Sequence, residues 1–156
     1  MSEIRTLPSN HVIPAFAPLY SAFSPLADAV VRVAAGAFLV PHGAQKLFGW
    51  FGGYGLEATG QFFATKLGLP ASLALVAGAI EVFGGLALAL GFATRIAAAL
   101  VFGLMAVAVV QVHLGAGFFW TSGGYEYPLL WAILALSFVV KGGGRYSVDA
   151  AIGREI

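Results

Sequence analysis

Four long apolar runs, at residues 26–50, 70–92, 96–114 and 125–140, take up most of this 156-residue chain. A helix that crosses a bilayer needs about 20 apolar residues, with about 17 as the lower limit. The first three runs meet that length. The fourth is shorter and holds Glu126 and Pro128 in its first turn, yet it is unbroken from Trp131 onward and Lys141 anchors its end. Helices that are apolar all round leave no polar face for water, which argues against a soluble core. The expected fold is all-α: a four-transmembrane-helix bundle with the lipid bilayer as its first partner.

The ionisable residues in and beside these runs need explaining. Only 10% of the chain is charged and 60% is hydrophobic. A charge at the centre of a bilayer costs roughly 2.5–3.5 kcal/mol even on lenient insertion scales. Arg32, His42, Lys46, Glu81, His113 and Glu126 therefore carry the functional question. The absence of cysteine removes disulfides, thiolate metal sites and iron–sulfur ligation. A net charge of +1 gives no basic footprint for nucleic acid.

The organisation expected is an N-terminal segment at 1–23, a membrane domain at 24–141 and a polar, glycine-rich tail at 142–156. The first segment lacks the continuous apolar core of a cleavable signal, and its Phe16, Tyr20 and Phe23 suit a membrane interface. Ser24-Pro25 reads as a helix start, with serine capping and proline at the first helical position. Pro41 predicts a kink at residues 37–41. Residues 56–67 read as a short interfacial helix between spans one and two, stopped by Gly68. The positive-inside rule places both termini in the cytoplasm, for a protein of the cell inner (plasma) membrane. Arg5, Arg95, Lys141, Arg145 and Arg154 lie on that side, against Lys46 and Lys66 on the other.

Counting along the helices gives depths. Glu81 lies eleven residues after Pro70 and ten before Gly91, near the middle of its span. Ala77, Gly78, Gly84 and Gly85 share its face, and small residues mark where helices approach, so Glu81 is expected to point into the bundle. Arg32 is its expected ionic partner; the alternative pairs Arg32 with Asp28, four residues before it, at the headgroups. His42, Gln45 and Lys46 share a face, and Gln111, His113 and Glu126 lie at a similar depth. Together with Trp50 they outline an outward-facing pocket. His42 with His113 lacks a third ligand at helical spacing, so no metal site is expected.

The pattern Gly36-x-Phe38-x-x-x-His42-Gly43-x-Gln45-Lys46-Leu47-Phe48-Gly49 resembles the first helix of the DoxX family. So does Ile80-Glu81-x-x-Gly84-Gly85, followed by Leu88-x-Leu90-Gly91-Phe92-x-Thr94-Arg95. The tail Gly142-Gly143-Gly144-Arg145-Tyr146-Ser147-x-Asp149 is similar to that family's C-terminal signature. The resemblance implies a four-helix membrane protein. The family takes its name from a subunit of a thiosulfate:quinone oxidoreductase, which implies a quinone link.

Two classes of function follow. The first is a quinone-interacting component of a membrane oxidoreductase, with quinone bound rather than an intrinsic cofactor. There Glu81 and His42 are the catalytic candidates, and Arg32, Gln45, Lys46, Trp50, Gln111, His113 and Glu126 the substrate-binding ones. Its electrons come from a redox partner protein or a small reductant. The second class is a non-enzymatic membrane scaffold or accessory subunit, whose buried polar residues set helix register and partner choice. A transporter or channel needs a homo-oligomer, because four spans leave little room for a path.

Overall fold

A computed structural model describes residues 13–154, and it is all-helical, with no strand among the described residues. Three helices are long and apolar enough to cross a membrane: Pro14–Phe48, Leu73–Leu90 and Thr94–Ala116, of 35, 18 and 23 residues. The first comprises α1 (Ala17–Ala37) and α2 (Leu39–Phe48). α3 (Gly55–Lys66) is the short helix between the first two spans. The second span runs from α4 (Leu73–Ala79) through a π-helical turn at Ile80–Gly84 into α5 (Gly85–Leu90). α6 (Thr94–Val107) opens the third, which continues through a second π-helical turn, Ala108–His113. α7 (Glu126–Lys141) has 16 residues, just under the length that spans a bilayer unaided, and packs along α6. A single turn, α8 (Val148–Ala151), closes the tail.

Pro41 interrupts the first rod and Pro25 does not. The first rod breaks at Phe38, inside the window expected from Pro41, which has no N–H to offer the Ala37 carbonyl. Ser24-Pro25 is not a helix start. Pro25 lies inside α1, which begins at Ala17 and runs unbroken past it. One missing backbone bond does not stop a helix whose other turns are intact.

Close approach of backbones holds the spans together. A Cβ on Gly36 would overlap the backbone of Gly85 and Ala89, and one on Gly43 would lie 2.7 Å from the Gly78 carbonyl oxygen. These contacts seat the first rod antiparallel on the second span. They also fix its register: Gly36 is level with Gly85–Ala89, and Gly43 with Gly78–Val82. A core of Leu39, Leu88, Ala98, Val101, Met105, Ala135 and Phe138 fills the middle. The Trp131 indole N–H donates to the Ala35 carbonyl at 3.0 Å and ties α7 to α1. Most large apolar side chains on the outer faces are exposed, as lipid contact requires.

Gly36→Ala should therefore lower the heat resistance of the detergent-solubilised protein by about 1–3 kcal/mol, the usual range for overpacking. Gly103→Ala, where an added Cβ meets nothing within 4 Å, is the control. It should be neutral or stabilise by about 0.5–1 kcal/mol. Equal melting curves for the two variants would count against the close-packed interface.

Candidate functional site

Two polar centres lie along the first rod. One joins Lys46 of α2 to Glu81 of the first π-helical turn. Lys46 Nζ donates to Glu81 Oε1 at 2.8 Å and to Oε2 at 2.7 Å. Glu81 is 5% exposed, whereas the Lys46 side chain retains 29% of its exposure. The local sequence accounts for the pairing. Gly43 and Gly78 bring α2 against α4 one turn before Lys46, so its side chain has a short distance to cover. A π-helical turn widens the helix locally and is frequent at functional sites; here it carries the carboxylate. The result is an acid and an amine in contact within an apolar bundle, open on the lysine side.

The second centre surrounds the turn between α5 and α6. Gly91 takes a left-handed conformation there, with φ +68°. Arg32, 1% exposed, donates from Nη1 to the carbonyls of Leu88, at 2.8 Å, and Ala89, and from Nη2 to that of Tyr146. Asp149 accepts from the Ala93 N–H at 2.7 Å, the Thr94 N–H at 2.9 Å and the Thr94 hydroxyl at 2.6 Å. Its own N–H donates to the Gly91 carbonyl at 2.9 Å. A cation thus serves the last carbonyls of α5 and an anion the first N–H groups of α6, the polarity that helix ends favour. Burial alone would raise the Asp149 carboxyl. The Thr94 hydroxyl, the Thr94 and Ala93 N–H groups and the Arg32 charge outweigh it and hold the carboxyl below the usual carboxylate range.

The expected Arg32–Glu81 pair does not form, and neither does Arg32–Asp28. In the register set by Gly36, Arg32 is level with Leu88–Gly91, seven residues and about 10 Å along the helix from Glu81. Asp28 pairs instead with Lys141 at 2.8 Å. In the sequence Asp149 appears only as the last residue of the tail motif, with no structural role assigned, because its polar, glycine-rich surroundings have the composition of a solvated segment. Two signals point to it: Ser147 two residues before, which caps α8 by accepting from the Ala150 N–H, and the Thr94-Arg95 helix start that it serves.

The remaining candidates are spread out. His42 is exposed on α2, one turn before Lys46. The Gln45 side-chain amide donates to the Phe51 carbonyl at 3.2 Å and holds the loop after α2. Trp50 is exposed, its ring packed on Phe48. Gln111 is exposed, His113 Nδ1 lies 2.6 Å from the Gly123 carbonyl oxygen, and Glu126 accepts from the Trp120 N–H at 3.1 Å. His113 and Glu126 thus brace the loop between the third span and α7, apart from the Lys46–Glu81 pair. A cavity of about 520 Å³ opens between α3 and α4, lined by Leu56, Gly60, Gln61, Ala64 and Leu75 among others. None of the candidate residues lines it. Among the described residues no three of His, Asp and Glu gather as metal ligands would.

Two tests follow. Glu81→Gln should strand the Lys46 ammonium and destabilise the solubilised protein, toward the lower end of the roughly 3–5 kcal/mol typical of a broken buried pair, because Lys46 is partly exposed. Combining it with Lys46→Met should recover part of the loss; additive losses would mean the two side chains do not interact. The second test concerns pH. A carboxyl held below its unfolded value stabilises the fold fully above about pH 3.9, and that stabilisation disappears as pH falls below it toward the lowered folded value. Asp149→Asn should remove this acid-dependent part and reduce stability at neutral pH by about 1.5–3 kcal/mol, the worth of hydrogen bonds to a charge. Melting temperatures measured from pH 3 to 7 for both forms decide it.

A sequence model of the DoxX family matches residues 27–114, which include Arg32 and the Lys46–Glu81 pair. A Bacillus subtilis protein named "Putative oxidoreductase CatD" is 32% identical over 120 residues, covering 77% of this chain and 82% of its own length. A Haemophilus influenzae protein, named only "Uncharacterized protein", is 35% identical over 130 residues, covering 81% of this chain and 91% of its own. No solved structure matches the chain.

Proposed function

The chain belongs to the DoxX family, and from that premise we propose that it is a quinone-interacting component of an oxidoreductase system in the inner membrane. The Lys46–Glu81 pair is the observation that carries this reading. Quinone reduction takes up protons together with electrons, so a quinone site needs an exchangeable proton beside an apolar slot. Lys46 Nζ holds such a proton and donates it in a hydrogen bond to Glu81, and the lysine side chain stays partly exposed, one turn from the exposed His42. A quinone head arriving from the lipid meets the ammonium first. His42, one turn away, is the second proton donor of this reading. The name of the Bacillus subtilis relative supports an oxidoreductase link. Electrons come from a redox partner protein or a small reductant, since the chain has no cysteine or nucleotide-binding motif to relay them. α7 completes a four-span bundle in this reading, with both termini cytoplasmic, which the basic residues Arg95, Lys141 and Arg145 at one end support.

The second reading is a membrane scaffold. One observation favours it: Lys46 bonds both carboxylate oxygens of Glu81, which is how a purely structural pair is satisfied. Lipid extraction of the purified protein separates the two. Quinone should be found in the extract of the wild type and be lost from His42→Ala and from the Lys46→Met, Glu81→Gln double variant, with helical circular dichroism unchanged. Equal quinone content in all three preparations, or none in the wild type, would select the scaffold.

A further inference from the structure

The Lys46–Glu81 pair lies at unequal distances from the two ends of the bundle. Lys46 is two residues before the end of α2 at Phe48, about 3 Å along the helix axis. Glu81 is ten residues before Gly91, about 15 Å from the turn that closes the other end. The carboxylate is buried, while the lysine side chain keeps 29% of its exposure. The amine is the member of the pair with a path outward.

Between Glu81 and the far turn nothing carries a proton. Residues 33–41 of the first rod, 82–93 of the second span and 96–110 of the third hold no polar side chain. In α7 the Trp131 indole N–H and the Ser137 hydroxyl are taken up by the Ala35 and Leu134 carbonyls. A methyl group does not fit between Gly36 and the backbone of Gly85 and Ala89, so neither does water. Leu39, Leu88, Ala98 and Val101 around that contact are at most 3% exposed. Beyond them Arg32 and Asp149, 1% and 2% exposed, close the turn with their hydrogen bonds. Buried water needs polar partners, and an apolar gap stays dry.

The end that bears α3 is polar by contrast. Gln45, next to the lysine, donates to the Phe51 carbonyl at 3.2 Å. α3 packs on α2 and α4 and buries Thr59, whose hydroxyl donates to the Gly55 carbonyl at 2.6 Å. Its own titratable side chains, Glu57 and Lys66, are exposed, as is His42 of α2. α4 and α5 carry no titratable side chain, and α6 none beyond Arg95 at its far end. We propose that water reaches the Lys46–Glu81 pair from the α3 end of the bundle alone, so that every proton the pair gains or loses is exchanged with that side. Applied to quinone reduction, a step that rests on the quinone reading, the protons are drawn from the α3 side, the outer one when both termini are cytoplasmic. Access itself does not depend on a quinone.

The chain contains no cysteine, so single thiols in the full protein report water access in sealed vesicles of either orientation. Tyr54→Cys, at an 88% exposed position beside α3, and Arg145→Cys in the tail identify which end faces the medium. Lys46→Cys should react with a hydrophilic, membrane-impermeant thiol reagent wherever Tyr54→Cys does, many-fold faster than Leu39→Cys. It should be protected in vesicles where only Arg145→Cys is labelled. The Lys46→Cys, Glu81→Gln double variant leaves no charge unpaired and should label in the same way, which guards against misfolding of the single variant. Labelling of Lys46→Cys from the Arg145 side, or from both sides, would overturn the proposal. So would labelling by a lipid-soluble reagent alone, which would mean that the lysine is exposed to lipid. One-sided labelling of a protein whose lipid extract holds no quinone would remove the quinone reading and leave the access route standing.

Discussion

The tight turn at Gly91 is the constraint on which the arrangement of this bundle depends. Two apolar helices meet there head to tail, and each ends with backbone groups that its own hydrogen bonds leave unsatisfied. Away from water such groups cost several kcal/mol each. Arg32 supplies the donors for the α5 carbonyls and Asp149 the acceptors for the α6 N–H groups. These side chains come from the first helix and from the tail, so satisfying one turn joins α1, both central spans and the C-terminus. Arg95 repeats the device on a smaller scale, donating to the Val139 and Val140 carbonyls at the end of α7.

Anchoring Arg32 at that turn has consequences farther along the rod. With Gly36 against Gly85 and Gly43 against Gly78, the two helices have a single register. Lys46 then lies about one turn beyond the level of Glu81, within reach of its long side chain, and the ion pair follows. Such a pair is weak support for stability, because desolvation of two charges offsets much of their attraction. Its presence on the interior face of a span is easier to understand as chemistry, or as a device that specifies register, than as a source of folding energy. The π-helical turn at Glu81 points the same way, since it gives up regular hydrogen bonding at the residue that holds the charge.

Depth along each helix was legible in the chain, and rotation was partly so. The spacing of small residues around Glu81 correctly put the carboxylate inside the bundle, and Pro41 correctly marked the break at Phe38. The partner of Glu81 was not legible, because Arg32 and Lys46 lie on the same rod on either side of the right level. Choosing between them needs the register, which rests on backbone contacts at Gly36 and Gly43. Asp149 illustrates the reverse case: an acidic residue in a glycine-rich tail has the composition of a solvated one, yet it is 2% exposed.

Hydrophobic length by itself determined the class of fold, for a segment of 18 or more apolar residues has no stable place in water. The order of the helices and the short helix after the first span were likewise written in the chain, whereas the start of the first helix was not: Ser24-Pro25 has the composition of a cap, yet Pro25 lies inside α1. Charge pairing was decided by packing alone. An arginine or lysine reaches several ångströms in any direction, and only the close fit of one helix on another determines which carboxylate or carbonyl lies within that reach.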